Sequence, residues 1–185
     1  MTWNSIPDSV ETVPATTRTD LLAPATAQAL AGPGADAGPI DVFAIDPDLA
    51  DTAALTAAYD LAPEASANCV LVAGTRGDDE RIAACVVLAH TKADVNKRVR
   101  KLIDVRKASF LPMERAVAES GMEYGGIGPI GLPENYRVLI DTRVAEAPEI
   151  ILGSGIRGSK LILSGATLAA VPGVEVIEDL GIEVG

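Results

Sequence analysis

Thirteen residues near the middle of the chain concentrate what chemistry on a small ligand needs: Gly121-Met122-Glu123-Tyr124-Gly125-Gly126-Ile127-Gly128-Pro129-Ile130-Gly131-Leu132-Pro133. Five are glycine, two are proline, and only Glu123 carries a charge. Glycine admits positive φ and lets a ligand approach bare backbone. Each proline fixes φ and removes a donor. Such a loop is stiff, and the N–H groups of Gly125, Gly126, Gly128 and Gly131 can face an ester carbonyl, a hydroxyl or an anion. Ile127, Ile130 and Leu132 stand where an exposed linker would have Ser, Lys and Glu, so the stretch is expected to fold back against a core. The same composition suits a tight structural turn between a helix and a strand, and residue types leave both readings open.

Other candidates carry a functional and a structural reading side by side. Asp141 ends the strand-like run Arg137-Val138-Leu139-Ile140 and is either a turn cap or an acceptor for loop N–H groups or a substrate ammonium. Arg157 lies in a second glycine-rich turn, Gly153-Ser154-Gly155-Ile156-Arg157-Gly158, and Lys107 precedes Ala108-Ser109 on a strand-like run. Either side chain faces a pocket or solvent. Tyr124 borders the loop and can stack on a base or simply pack. His90 is the single histidine, which excludes a multi-histidine metal site. A Ser-His-Asp mechanism would need His90 itself, and no GxSxG elbow accompanies it. Cys69 and Cys85 are too far apart for a CxxC pair or a metal knuckle and read as buried thiols. No metal and no cofactor is expected.

The elements that must position these residues follow from pattern. The 185 residues suit one domain, and an apolar fraction of 48% is enough for a sizeable core. Residues 1–39 read as a flexible N-terminal arm plus a lead-in helix over 21–31 and a Gly/Pro loop over 32–39; residues 40–185 read as the domain proper. Strands are expected at 42–45, 69–73, 81–89, 105–110, 137–141, 149–153, 160–163 and 174–177. Helices are expected at 50–59, 91–102, 112–120 and 164–171. Two close pairs, 69–73 with 81–89 and 149–153 with 160–163, read as hairpins. Hairpins interleaved with helices point to an α+β fold with a mixed sheet rather than a doubly wound parallel one. A net charge of −11 argues against gripping nucleic acid through a wholly basic surface. The exception is local: Lys97, Arg98, Arg100 and Lys101 cluster at the end of the 91–102 helix, where cations also complement the helix dipole. No apolar run is long enough to span a membrane, and no signal-peptide core is visible, so the chain reads as cytoplasmic with no membrane partner.

The order strand 69–73, strand 82–89, basic helix, "RKASF" over Arg106–Phe110, helix, "GGIGPIG", "VLID" and "GSGIRGSKLIL" resembles the YbaK-type aminoacyl-tRNA deacylase family, related to the editing domain inserted in bacterial prolyl-tRNA synthetases. The resemblance covers roughly residues 40 to 180. It rests on Gly125-Gly126-x-x-Pro129-x-Gly131, the strand ending in Asp141, and Gly153-x-Gly155-x-Arg157-Gly158, in that order. It implies a mixed, partly barrel-like β-sheet flanked by helices. It also implies hydrolysis of the ester joining a wrong amino acid to the 3′-terminal ribose of a tRNA, such as Ala or Cys on a proline tRNA. The partners implied are the 3′-CCA end of a mischarged tRNA and, for so acidic a chain, a synthetase carrying it. In such a family a substrate hydroxyl positions the water, so no histidine is needed. The loop glycines would hold the carbonyl or a ribose hydroxyl, Asp141 an ammonium or the loop, and Arg157 the terminal phosphates or adenine.

One position departs from the family pattern. Members carry a lysine in a segment like V-K-T-L, and here Ala67-Asn68-Cys69-Val70-Leu71 puts Asn68 in its place. Asparagine keeps a donor but loses the charge and most of the reach. It can orient a carbonyl or water; a missing cation would come from Lys107 or Arg157. Three functions follow: a trans-editing hydrolase, a catalytically lapsed module that binds an aminoacyl-adenosine-like ligand, or a hydrolase of another acyl ester.

Overall fold

The computed structural model describes residues 3–32 and 36–184, so residues 33–35 of the expected Gly/Pro loop lie outside it. In chain order, β1 (Val13–Pro14) leads to α1 (Pro24–Ala31), β2 (Ile40–Ala44) and α2 (Thr52–Tyr59). The long strands β3 (Ala67–Arg76) and β4 (Asp79–Leu88) follow, then β5 (Thr91–Ala93). A π-helical turn over Val95–Val99 continues into α3 (Arg100–Leu102), then β6 (Ala108–Phe110) and α4 (Met113–Ser120). β7 (Tyr136–Asp141), α5 (Thr142–Glu146), β8 (Ile150–Gly153), β9 (Ser159–Leu163), α6 (Gly165–Ala170), β10 (Val174–Ile177) and β11 (Gly181–Glu183) complete the described chain.

One sheet has the order β10-β7-β4-β3-β6, with β4, β7 and β10 parallel and β3 antiparallel to both neighbours. A second has the order β1-β2-β9-β8 and is antiparallel throughout. A parallel bridge from Ser66 to Ile151 joins the start of β3 to β8. The fold is therefore α+β with mixed pairing. β4 has both faces covered, which is why it reads as an unbroken apolar run. Val86 and Leu88 meet Ile140, Leu152 and Leu161 on one face, while Cys85 and Val87 meet Val95, Val99 and Ile103 on the other.

Local chemistry sets the ends of the elements. Asp51 caps α2 by accepting from Ala53 N and Ala54 N, and Gly121 ends α4 with φ +67. The β3–β4 hairpin turns at Gly77-Asp78, with Gly77 (φ +64) at the position where a type II′ turn takes glycine. The strand expected over 69–73 runs on to Arg76, so Gly74 is a strand residue and the turn comes later. A Cβ there would lie 2.5 Å from Lys107 O, so its glycine serves close approach of β6. The helix expected from Thr91 begins instead at Val95, because Thr91–Ala93 pairs with β11.

From Trp3 onward, the described part of the segment expected to be a flexible arm packs on the domain. Trp3 and Ile6 pack with Phe43, Leu55, Leu61 and Ile162. Trp3 Nε1 donates to Asp41 Oδ2 at 2.7 Å, and Glu149 accepts from Asn4 N at 2.9 Å and Ser5 N at 2.7 Å. One indole among so few aromatics covers much of this cluster and has its only polar atom satisfied. Trp3→Ala is expected to cost about 3–5 kcal/mol in urea unfolding; an unchanged midpoint would mean that the segment does not hold the fold.

Candidate active site

β6 covers the outer edge of β3 only over Val72–Gly74, which leaves the edge before it open. Ser66 O accepts from Ala89 N on the β4 side, and Leu71 O accepts from Leu111 N on the outer side, both at 2.8 Å. Strand alternation then turns the backbone N–H and C=O of Cys69 outward. They face a pocket of about 320 Å³, at the lower end of the range for small-ligand sites. Four segments wall it: Asn68–Val70 of β3, Ala50–Thr52 at the start of α2, Tyr124, Gly125 and Ile127 of the glycine loop, and Gly153, Arg157 and Lys160 around the β8–β9 turn.

Backbone laid directly on backbone holds the glycine loop in place. A Cβ on Gly126 would sit 2.5 Å from the Ile156 carbonyl, and one on Gly128 would overlap the Gly153 carbonyl. Two hydrogen bonds lock the two stretches together, Gly155 N to Gly126 O (2.7 Å) and Glu123 N to Gly155 O (2.9 Å), and a third, Gly126 N to Glu123 O (2.9 Å), closes the loop on itself. The Gly126 N–H is thus engaged inside the loop and does not face a ligand, contrary to the expectation from sequence. Of the loop glycines, Gly125 (φ +84) reaches the pocket. Gly128 packs on Gly153, whereas Pro129 and Gly131 line a separate hollow with Val171 and Val174. Gly131 and Gly155 back onto α1 and the residue before it, against Ala25 and Ala23.

Two cations converge on the pocket. Lys160 is 5% exposed, and its Nζ donates to Ala50 O at 2.7 Å. Burial lowers its pKa to about 8, helped by Arg157 and opposed by Asp51. Arg157 clips the loop to the turn before α2, donating from Nη1 to Tyr124 O (3.0 Å) and from Nη2 to Pro47 O (2.9 Å). Asn68 Oδ1 accepts from Thr52 Oγ1 at 2.6 Å, which leaves the amide N–H groups for a ligand. Lys160 is the residue that sequence reading missed. Its signal was a charge at the head of an otherwise apolar strand, Lys160-Leu161-Ile162-Leu163.

Two expected participants, Asp141 and Lys107, lie elsewhere, and the two thiols are inert. Asp141 is buried as the cap of α5 and accepts from Arg143 N (2.9 Å), Arg143 Nε (2.8 Å) and Gly181 N (2.7 Å). Those bonds tie β7, α5 and β11 together, so its carboxylate is a structural clasp outside the pocket. Lys107 is exposed beyond β6 and does not line the pocket either. The Cys69 thiol is pushed well up by burial and the neighbouring Cys85, and Cys85 is itself pushed up to about 12 by burial, so neither is a poised nucleophile.

The sequence profile of the aminoacyl-tRNA editing domain matches residues 46–171, which contain every wall of this pocket. Similar solved structures include a protein described provisionally as a trans-editing enzyme for prolyl tRNA synthetase, with 16% identity and TM-score 0.69 over 89% of this chain and 99% of that one. A second is a scaffold from work on epitope backbone grafting by computational design (18%, TM-score 0.68, 88% and 97%). A third is the hypothetical protein APE2540 (17%, TM-score 0.67, 76% and 90%). At these identities the structures establish the fold.

Burial alone would raise the Asp141 pKa, but bonds from the Arg143 side chain, Gly181 N–H and Arg143 N–H outweigh it and hold the carboxyl below its ordinary range. A depressed folded-state pKa gives stability that is present above the unfolded value, ~4, and lost as pH falls through the folded value. Asp141→Asn is expected to cost about 2–4 kcal/mol at neutral pH, with the gap to wild type closing below about pH 4. Chemical denaturation across that range measures it, and a pH-independent gap would contradict the clasp.

Proposed function

This chain belongs to the aminoacyl-tRNA editing domain family, and we propose that it is a trans-acting deacylase that removes a small amino acid, alanine or cysteine, from mischarged tRNA of the proline type. The observation that carries the proposal is the convergence of Lys160 and Asn68 on one pocket. The family lysine is absent from β3, but a lysine on β9 enters the same space from the other side.

Each chemical demand of ester hydrolysis has a candidate group. The ester carbonyl carbon is attacked by water, and negative charge develops on its oxygen. The Lys160 ammonium, with two N–H bonds left after Ala50 O, and the Asn68 amide supply donors for that oxygen. Collapse of the tetrahedral intermediate breaks the bond to the ribose oxygen, which takes a proton and leaves as the tRNA hydroxyl. The free amino acid departs as the other product. The ester is already activated, so a protein nucleophile is unnecessary, and a ribose hydroxyl of the substrate holds the water. Asp51 offers the one carboxylate on the pocket wall among the described residues and suits the α-ammonium of the amino acid. The small volume favours a small side chain. Tyr124, 61% exposed at the rim, offers a face to the terminal adenine. The fold neighbour described in connection with prolyl tRNA synthetase supports the proline-type substrate.

The test is deacylation of Ala-tRNA(Pro) and Cys-tRNA(Pro) by wild type, Lys160→Met and Asn68→Ala. Lys160→Met is expected to lower kcat/KM by about 100-fold or more, the loss typical of one oxyanion donor, and Asn68→Ala by about tenfold. Because the working form of Lys160 is the ammonium, enzymatic turnover above the spontaneous rate should fall as pH rises through about 8. Full activity in Lys160→Met would remove it from the mechanism. Tight binding of the substrate by wild type without turnover would make the protein the lapsed binding module instead.

A further inference from the structure

The chain has fifteen Lys and Arg residues, and six of them (Arg18, Arg76, Arg81, Arg115, Arg137 and Arg143) are in ion pairs with carboxylates. The side chains of the other nine form no ion pair among the described residues. Their positions are not scattered. Arg157 and Lys160 are at the pocket, and the remaining seven all fall between Lys92 and Lys107.

That segment holds two acids, and neither opposes the cations freely. Asp94 accepts from Lys97 N at 3.2 Å as a helix cap, and Asp104 is paired with Arg76 at 2.7 Å and Arg81 at 3.1 Å. Seven cations and two acids give the segment +5, which leaves −16 for the rest of a chain whose total is −11. Lys97, Lys101, Arg106 and Lys107 are all exposed. In so acidic a protein, a run of cations kept clear of the available carboxylates is a surface shaped for an anionic partner.

The sheet connects this surface to the pocket. Val95, Val99 and Ile103 pack on the face of β3 that carries Val70 and Val72. Side chains two apart share a face, so Asn68 projects from that same face. Phe110 stands opposite Val72 across the β3–β6 pair and is 63% exposed. Lys107 O lies against Gly74, five residues along β3 from Cys69, which is ~17 Å at the usual strand rise. A stacked nucleotide strand advances ~3.4 Å per residue, so the same span is about five nucleotides. From pocket to patch the order on one face is Asn68, an exposed aromatic ring, then cations.

We infer that the Lys92–Lys107 segment is the surface that binds the phosphate backbone of the tRNA acceptor end, with Phe110 stacking on an unpaired base between that surface and the pocket. The inference rests on the reading of the pocket as an aminoacyl-tRNA site, and it adds where the rest of the acceptor strand lies. Lysine and arginine there give affinity and register without reading sequence, and one exposed ring is sequence-tolerant. Discrimination among amino acids stays with the pocket.

The experiment compares wild type, the quadruple variant Lys97→Gln/Lys101→Gln/Arg106→Gln/Lys107→Gln, Phe110→Ala and the control Arg18→Gln. Equilibrium binding of uncharged tRNA is measured over a salt series, alongside hydrolysis of an aminoacyl ester of adenosine. The quadruple variant should bind at least tenfold more weakly at low salt, with a slope of log K against log[salt] shallower by roughly 3, since each phosphate left unneutralised removes about 0.7–0.9. Phe110→Ala should weaken binding by about fivefold or more with the slope unchanged. Arg18→Gln should behave as wild type, and all four should hydrolyse the adenosine ester alike. An unchanged slope in the quadruple variant overturns the surface even if the ester is hydrolysed. A reduced slope with no ester hydrolysis by wild type leaves the surface standing and removes the chemistry. Binding of wild type to anionic phospholipid vesicles but not to tRNA would assign the patch to a membrane and overturn the inference.

Discussion

The pocket exists because two stretches of chain approach each other with no side chain between them. Gly126 and Gly128 lie directly on Gly153 and Ile156, where a Cβ on either side would meet carbonyl carbon or oxygen. Everything else at the site takes its position from that approach. It brings Gly125 and Tyr124 to the rim, sets Arg157 within reach of both the loop and the turn before α2, and aims β9 so that Lys160 enters the cavity. Behind the loop, Thr26 Oγ1 donates to Ile130 O at 3.1 Å and Gly131 backs onto α1, so the loop is gripped from both sides. Glycine costs conformational entropy on folding, and here the buried Met122 and Ile130 offset that cost by anchoring the loop in the interior.

The electrostatics of the site invert those of the molecule. A strongly acidic chain keeps a buried amine and a guanidinium at one small cavity, each bonded to backbone carbonyls rather than to a carboxylate. Carbonyl partners hold the cations in place without neutralising them. Desolvation then leaves Lys160 less costly to deprotonate and more responsive to an anion that enters. A site that must recognise developing negative charge on an ester oxygen, yet hold no permanent anion of its own at that point, has this character. Asp51 stands nearby at the start of α2, where it also caps the helix. The net charge of −11 works against anionic partners, and the pocket and the segment from Lys92 to Lys107 are the local exceptions.

Much of the scaffold was legible in the sequence because its signals are local. Pro112 and Gly121 bracket α4, alternation and spacing mark the β3–β4 and β8–β9 hairpins, and isoleucine between glycines marks a loop that packs inward. What was hidden depends on partners far away in the chain. Trp3 finds Asp41, Thr91–Ala93 finds β11 near the end of the chain, and Asp141 gathers Gly181 and Arg143, so a strand-end carboxylate that reads as catalytic is a clasp. Asn68 was legible as a departure from the family pattern. The proposed compensation by Lys160 was not, because Lys160 and Asn68 sit on strands of different sheets and line one pocket only where the Ser66–Ile151 bridge brings those sheets together. Lys107 is a natural substitute by its place in the sequence, next to a strand, but β6 covers only the far end of β3 and leaves it outside.

Whether a lysine on β9 and an asparagine on β3 together face the scissile ester is tested most directly by a crystal structure with a non-hydrolysable alanyl-adenosine analogue, in which an amide replaces the ester. The analogue's carbonyl oxygen is expected within hydrogen-bond distance of Lys160 Nζ and Asn68 Nδ2, its ammonium toward Asp51 and its adenine at Tyr124. An analogue bound with its carbonyl away from both side chains, or held at Asp141, would contradict this arrangement.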